Sequence, residues 1–289
     1  MISLTVSPEE IPLRLKTRLI AWGMSQAYWK KLKKAGLLFL NGSVISHDTP
    51  LQAGDLISFS FLPEAATLEP EATALTILYE DEFLLAVHKP AGLLTHSANV
   101  QPVSCLTRQV AFYYKEKHLP AGIHPVSRLD RETSGIVLFA KNACIHHLMS
   151  HTPMVKTYLG ITGGKWVLKE GILDWPIGRK PGSIIERQVD EKGQPARTEY
   201  RVLQEWNNQS LVRFTLKTGR THQIRVHCAR AGHALSGDHL YGTPGPRTRH
   251  LLHACALSFV HPLTGKAIEI RDPLPEEMNR CLPFPMPDP

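Results

Sequence analysis

Residues Val126–Lys141 read VSRLDRETSGIVLFAK. Four ionisable side chains, Arg128, Asp130, Arg131 and Glu132, stand directly ahead of the apolar run Ile136–Ala140. That run is short, rich in large and β-branched residues and preceded by Ser134-Gly135, so it predicts a buried strand. Charges are expensive to desolvate unless they are paired. Asp130 therefore belongs either to a structural ion cluster at the start of the strand or to a site where an acid has a chemical job. A loop held by a rigid strand can aim a side chain into a cleft. An ionised carboxylate placed there can serve as nucleophile or general base.

Working outward, LTILYEDEFLLAVHKPAG gives two short strands ending at Pro90-Ala91-Gly92, where Lys89 reaches toward phosphate or faces water. SCLTRQVAFYYKEK reads as a helix. TYLGITGG, RTEYRVLQEW and QSLVRFTLKTG alternate as strands, and LLHACALSFVHPLTGKAIEI reads as a hairpin. Strands and helices are not regularly interleaved, which disfavours a doubly wound parallel sheet. The expectation over residues 75–289 is an α+β domain with a mixed, mainly antiparallel sheet.

The N-terminal part, residues 12–63, reads as a separate small α/β unit. Ser25 is placed to cap a helix, SQAYWKKLKKAG, that stops at Gly36. Lys30, Lys31, Lys33 and Lys34 line its outer side, with Ala27, Leu32 and Ala35 facing inward. Asn41-Gly42 joins two strands in a hairpin, and AGDLISFSF adds another strand. Residues 64–74, rich in Ala, Pro and Glu and lacking Lys and Arg, read as a linker.

The chain has 289 residues and a formal net charge of +7, with 15 histidines besides. That balance suits a polyanionic partner without specifying one. Five cysteines, Cys105, Cys144, Cys228, Cys255 and Cys281, are dispersed and form no CxxC. An odd, scattered set argues against a disulfide framework or zinc knuckle and for a reducing, cytoplasmic setting. The N-terminus shows no signal-peptide pattern, and no apolar stretch approaches membrane-spanning length. His146, His147 and His151, like His222 and His227, lack the accompanying acid pattern of a metal site, so no metal is expected. Neither GxxxxGK[ST] nor a GxGxxG between strand and helix occurs, so no nucleotide cofactor is expected.

A second constellation is Leu216–His227, LKTGRTHQIRVH. A strand ends, Thr218-Gly219 turns, and a short helix starts with Arg220 and Arg225 near its anion-favouring end and closes at Gly232. One of these arginines can pair with Asp130 and leave the other for phosphate. From Arg213 to Arg249 there are seven Lys or Arg and a single acid, Asp238. A third is Lys156-Thr157-Tyr158, where Tyr158 serves either strand packing or stacking on an extruded base.

Taken together and in order, HKPAGLLTH, RLDRETSGIVLFAK, KTYLG, LKTGRTHQIRVHCARAGHALSGDHLYG and LLHACALSFVHPLTG resemble the signature blocks of the RluA family of pseudouridine synthases, the large-subunit-rRNA type. The likeness runs from about Leu75 to Pro275. The N-terminal unit resembles an S4 RNA-binding domain on its helix, AG break, NG hairpin and AGD. By this resemblance Asp130 is the catalytic residue, Tyr158 lies against the target base, Arg225 pairs with Asp130, and Arg128 helps open the RNA around the flipped nucleotide. Arg131, Lys89, Arg220 and His222, with Lys30, Lys31 and Lys34 of the N-terminal unit, are the further RNA contacts expected. The family needs no metal or organic cofactor. Two positions depart from its pattern: Ser127 stands where His is usual, and His88 where Asn is usual.

The implied reaction isomerises uridine in rRNA or tRNA, breaking the C1′–N1 bond and forming C1′–C5. It needs no redox step. The base must leave its stack at a cost of a few kcal/mol. Aromatic stacking, at about 1–3 kcal/mol per base, offsets much of that. The carboxylate can attack C6, attack C1′ or take the C2′ proton. Two other readings fit the residues: an inactive RNA-binding protein of the same fold, and a glycosidase pairing Asp130 with Glu132, Glu80 or Asp81. No obligate protein partner is implied, and a monomer is expected.

Overall fold

The computed structural model describes residues 1–97, 103–243 and 247–284; most of the Pro-rich C-terminal tail lies outside them. The N-terminal unit comprises β1 (Ile2–Thr5), α1 (Leu15–Ala21), α2 (Gln26–Lys34), β2 (Leu38–Leu40), β3 (Ser43–Val44) and β4 (Leu56–Phe59). Its four strands form one sheet in the order β1-β4-β2-β3, so the unit takes in residues ahead of position 12. Ser25 caps α2 by accepting from the Tyr28 amide at 3.1 Å. Asn41 and Gly42 both have positive φ, 51° and 80°, the conformation a two-residue hairpin turn requires. Tyr28, Trp29 and Leu32 are the buried side of α2. Ala27 and Ala35, expected inside, are exposed, because the two large aromatics claim the inward face.

The second unit follows with β5 (Ile77–Glu80), β6 (Leu84–Lys89), α3 (Leu106–Glu116), β7 (His124–Pro125), β8 (Ser134–Ala140), α4 (Ala143–His151), β9 (Met154–Gly163) and β10 (Glu170–Leu173). It continues with β11 (Ile177–Arg179), β12 (Arg187–Val189), β13 (Thr198–Trp206), β14 (Gln209–Leu216), α5 (Gln223–Arg230), β15 (Leu252–Val260), β16 (Ala267–Arg271) and α6 (Glu276–Asn279). One sheet runs β10-β13-β14-β9-β15-β8-β6-β5, with β16 beside β15 and β7 beside β8. Every pairing in it is antiparallel except β15 with β8, so the fold is α+β with a mixed, mainly antiparallel sheet. β11 and β12 form a separate hairpin. The sequence reading passed over this hairpin, β7, β10 and α4.

The stretch between the units has no regular secondary structure but is strapped down. Glu64 accepts from the Ala143 amide at 2.9 Å and meets His124 Nε2 at 2.6 Å. The Glu71 amide donates to the Arg108 carbonyl at 3.0 Å. Edge-on aromatic contacts continue across the junction from Trp22 to Phe59, Phe61 and Phe83. The N-terminal core also takes in Cys144 from α4.

All seven residues of β8 are buried, as its unbroken apolar run predicts. β8 meets β15 in parallel through only two residue pairs, Ser134 with His253 and Gly135 with Ala254. Gly135 makes this possible. Its φ is +120°, and a Cβ there would lie 2.4 Å from the Ala254 carbonyl oxygen. Next to it, the fully buried His253 bonds Ser134 Oγ through Nδ1 at 3.0 Å and the Asp272 carbonyl through Nε2 at 3.2 Å. Asp272 also takes His88 Nδ1 at 2.6 Å. The unusual His88 is thus spent on an internal contact with Asp272.

Gly135→Ala is expected to lower stability by about 3 kcal/mol or more, from strain plus overpacking, read as the urea midpoint. Burial pushes His253 down to about 4 against the pull of Asp272. The unfolded chain takes up this proton near pH 6.5 and the native state does not until near pH 4. Stability is therefore expected to hold above that window and to fall by about 3 kcal/mol as pH drops through it. Urea titrations at pH 7 and 4.5 check this, with His253→Gln reducing the difference and the similarly depressed His250 retaining its share.

Candidate active site

Asp130 lies in the loop between β7 and β8, one quarter exposed. Its turn is closed by the Thr133 amide donating to the Asp130 carbonyl at 3.1 Å. Asp130 shares a pocket with Arg128, Thr133, Tyr158, Leu216, Arg220, His222 and Arg225. The pocket opens into a cleft of about 360 Å³ that adds Ser127 and Lys156. Loop, central strand β9, the end of β14 and helix α5 thus converge on one carboxylate.

The partner of that carboxylate is Arg225, buried on α5. Its Nη1 lies 3.2 Å from Asp130 Oδ2. Its other edge is taken: Nε and Nη2 donate to Asp238 at 2.8 and 2.9 Å. Asp238 is buried and also accepts from the Leu240 and Tyr241 amides. The Tyr241 ring lies under the guanidinium at 5.0 Å, a cation–π arrangement. Burial works against the Arg225 charge, yet Asp238 foremost, then Asp130, holds it above its ordinary range. Burial likewise opposes the charge on Asp238, and Arg225 more than reverses this and lowers its acidity range. The sequence marked Asp238 only as the one acid of a basic tract; its role as the anchor of Arg225 went unread. Tyr241 was also passed over, though it stands in a motif block, and Lys156 was singled out with Tyr158 but given no role.

Tyr158 presents little surface, 9%, at the floor of the pocket. Burial first, then the Asp130 charge, pushes its phenol up beyond the usual range. His222 sits at the start of α5 with φ of 60°. Its Nδ1 lies 2.8 Å from the Tyr241 hydroxyl and its Nε2 3.7 Å from Asp130 Oδ2. It therefore lies inside the pocket, beside Asp130. Burial lowers its basicity, and Asp130 partly restores it.

Arg128 is exposed at the mouth of the cleft. Arg220 lines it too, with Nε donating to the Pro195 carbonyl at 3.0 Å. Arg131 folds back so that Nε donates to the Gly92 carbonyl at 2.9 Å, away from the pocket. Lys89 overturns the sequence expectation. It is fully buried, and its ammonium donates to the carbonyls of Pro90, Leu93 and Arg131 at 2.8–2.9 Å. Three carbonyl oxygens match three N–H groups, so Lys89 ties the Asp130 loop to the Pro90 turn and reaches neither water nor phosphate. Burial pushes it down to about 7, while Glu132 and Asp130 pull it back up. Lys30, Lys31 and Lys34 are exposed on α2 of the N-terminal unit.

The acids named as alternative partners of Asp130 are elsewhere. Glu80 is paired with Lys141 at 2.7 Å, and Asp81 accepts from the Phe83 and Leu84 amides. Glu132 does not line the pocket. The glycosidase reading lacks its second carboxylate among the described residues. His227 is spent on Thr198 Oγ1 and the Trp175 carbonyl, and among the described residues no cluster of three metal-ligating side chains occurs.

A family model described as RNA pseudouridylate synthase matches residues 83–230. The chain belongs to this family. The synthase is 38% identical over 254 residues to the "Uncharacterized RNA pseudouridine synthase YjbO" of Bacillus subtilis, covering 86% of this chain and 90% of that one. It is 38% identical over 230 residues to "Ribosomal large subunit pseudouridine synthase D" of Nitrosomonas europaea, covering 74% of this chain and 66% of the other. The solved structure of "Human RNA Pseudouridylate Synthase Domain Containing 1" matches with a TM-score of 0.58 at 25% identity, covering 71% of this chain and 86% of that one. The synthase is accordingly an isomerase acting on RNA. Among the described residues no helix is long and apolar enough to cross a membrane.

Direct coupling of Asp130 and Arg225 is tested by a double-mutant cycle of Asp130→Asn and Arg225→Met read by urea unfolding. A coupling of about 1 kcal/mol is expected, discounted for the solvent at Asp130; strictly additive losses would show no direct link.

Proposed function

We propose that this synthase converts uridine to pseudouridine within structured RNA, with Asp130 as the reacting carboxylate. The observation that carries this is the convergence of Asp130, Arg225 and Tyr158 in one open pocket. A purely RNA-binding module has no need of a carboxylate aimed by a buried guanidinium. C6 attack, C1′ attack and C2′ proton removal all require the same group, anionic and within reach of the ribose–base junction. Tyr158 supplies the face against which the extruded base rests. Arg128, Arg220 and Lys156 line the cleft and supply positive charge for the flanking phosphates.

We infer that the substrate is ribosomal RNA, supported by relatives named for the large ribosomal subunit. The N-terminal unit acts in this reading as an S4-like module presenting Lys30, Lys31 and Lys34. Lys33 lies over the Trp29 ring at 5.5 Å. Five free thiols suit a reducing cytoplasm. The enzyme works as a monomer in this reading.

RNA carrying tritium at uridine C5 is expected to release label with the wild-type chain and none with Asp130→Asn. Release by the Asn variant would overturn the role of Asp130. A pseudouridine-specific probe on RNA from a deletion strain is expected to show sites lost from rRNA; losses confined to tRNA would reassign the substrate.

A further inference from the structure

The block LLHACALSFVHPLTG at the far end of the chain contributes no side chain to the chemistry just described. Its start, with the preceding Arg249 and His250, nevertheless lies directly against the Asp130 loop. Arg249 Nη1 donates to the Glu132 carbonyl at 3.1 Å. His250 Nε2 lies 2.8 Å from Thr133 Oγ1, and His253 takes Ser134. Thr133 and His250 are 2% and 3% exposed, so water does not compete for this bond. Thr133 is also a wall of the Asp130 pocket, and its amide closes the Asp130 turn.

We propose that His250 is a positioning residue for the reaction, acting through the Thr133 hydroxyl to fix the turn that aims Asp130. Asp130 and Thr133 are the two ends of one hydrogen-bonded turn, so whatever fixes Thr133 fixes where the Asp130 carbonyl and side chain point. The charged groups acting on the imidazole are Arg225, Asp238, Asp130 and Arg249. Burial foremost keeps His250 neutral, down to about 4, so it adds no third cation beside Arg225 and Arg249. His250 touches no reacting atom; it acts on Asp130 at one remove. The proposal rests on Asp130 being the reacting group.

The test uses the full chain and the same tritiated RNA. His250→Ala is expected to lower kcat about 10- to 100-fold, the scale of a small misplacement of a reacting group, with KM for RNA within about 2-fold. His250→Gln, whose amide can still meet the Thr133 hydroxyl, is expected to recover most of kcat. Thr133→Val should match His250→Ala, Thr133→Ser should stay near wild type, and the double variant should lose no more than either single change. Hydrogen exchange at the residue-133 amide should quicken in Thr133→Val and stay slow in Thr133→Ser. Full kcat in Thr133→Val, a change confined to KM, or a folded Gln variant no better than Ala would overturn the proposal. Should His250→Ala fail to fold, the Val and Ser variants decide alone. Wild-type inactivity on this RNA, or activity in Asp130→Asn, would point instead at the functional reading, while the exchange measurement still judges the clamp.

Discussion

A single guanidinium held between two carboxylates organises this site. Arg225 spends two N–H groups on buried Asp238 and so has its third direction fixed toward Asp130. The first contact is fully enclosed and sets geometry; the second is open to solvent on one side and sets chemistry. A lysine could supply charge but not this fork, because one ammonium cannot meet two oxygens edge-on and a third at a fixed angle. Desolvation opposes an isolated charge here, and the paired, hydrogen-bonded arrangement offsets it.

The acid's half of the arrangement depends on backbone. The Asp130 loop is gripped by Lys89 on the Arg131 carbonyl, by Thr95 on the Leu129 amide and carbonyl, and by the β15 side through Thr133 and Ser134. Gly135 lets β8 approach β15 closely enough for those last contacts. Fold and site are therefore not separable: the parallel pairing of β8 with β15, the one such pairing in the large sheet among the described residues, is also what brings the histidines to the Asp130 loop.

Much of this could be read in the residues. β8 announced itself as an unbroken apolar run, and α2 and its hairpin by Ser25, Gly36 and Asn41-Gly42, because those signals are local. Arg225 followed from a motif. Lys89 misled because sequence shows a charge beside a Pro-Gly turn but not the three carbonyls that enclose it. Asp238 and His250 were unreadable as site elements because their partners lie 13 and 117 positions away, and no local pattern encodes such distances. The β11–β12 hairpin was missed because its strands are short and lack strong alternation.

The order in which the pieces are made carries a consequence of its own. Asp130 leaves the ribosome early, whereas Arg225, Asp238, Arg249, His250 and His253 all emerge after it. Local elements such as the N-terminal unit can form during synthesis, while contacts between distant parts of the chain must wait. The carboxylate is thus unaimed until the chain has been made past Arg225 and Asp238. A nascent copy lacks the groups that aim this acid, and only a chain extended past His253 carries all of them.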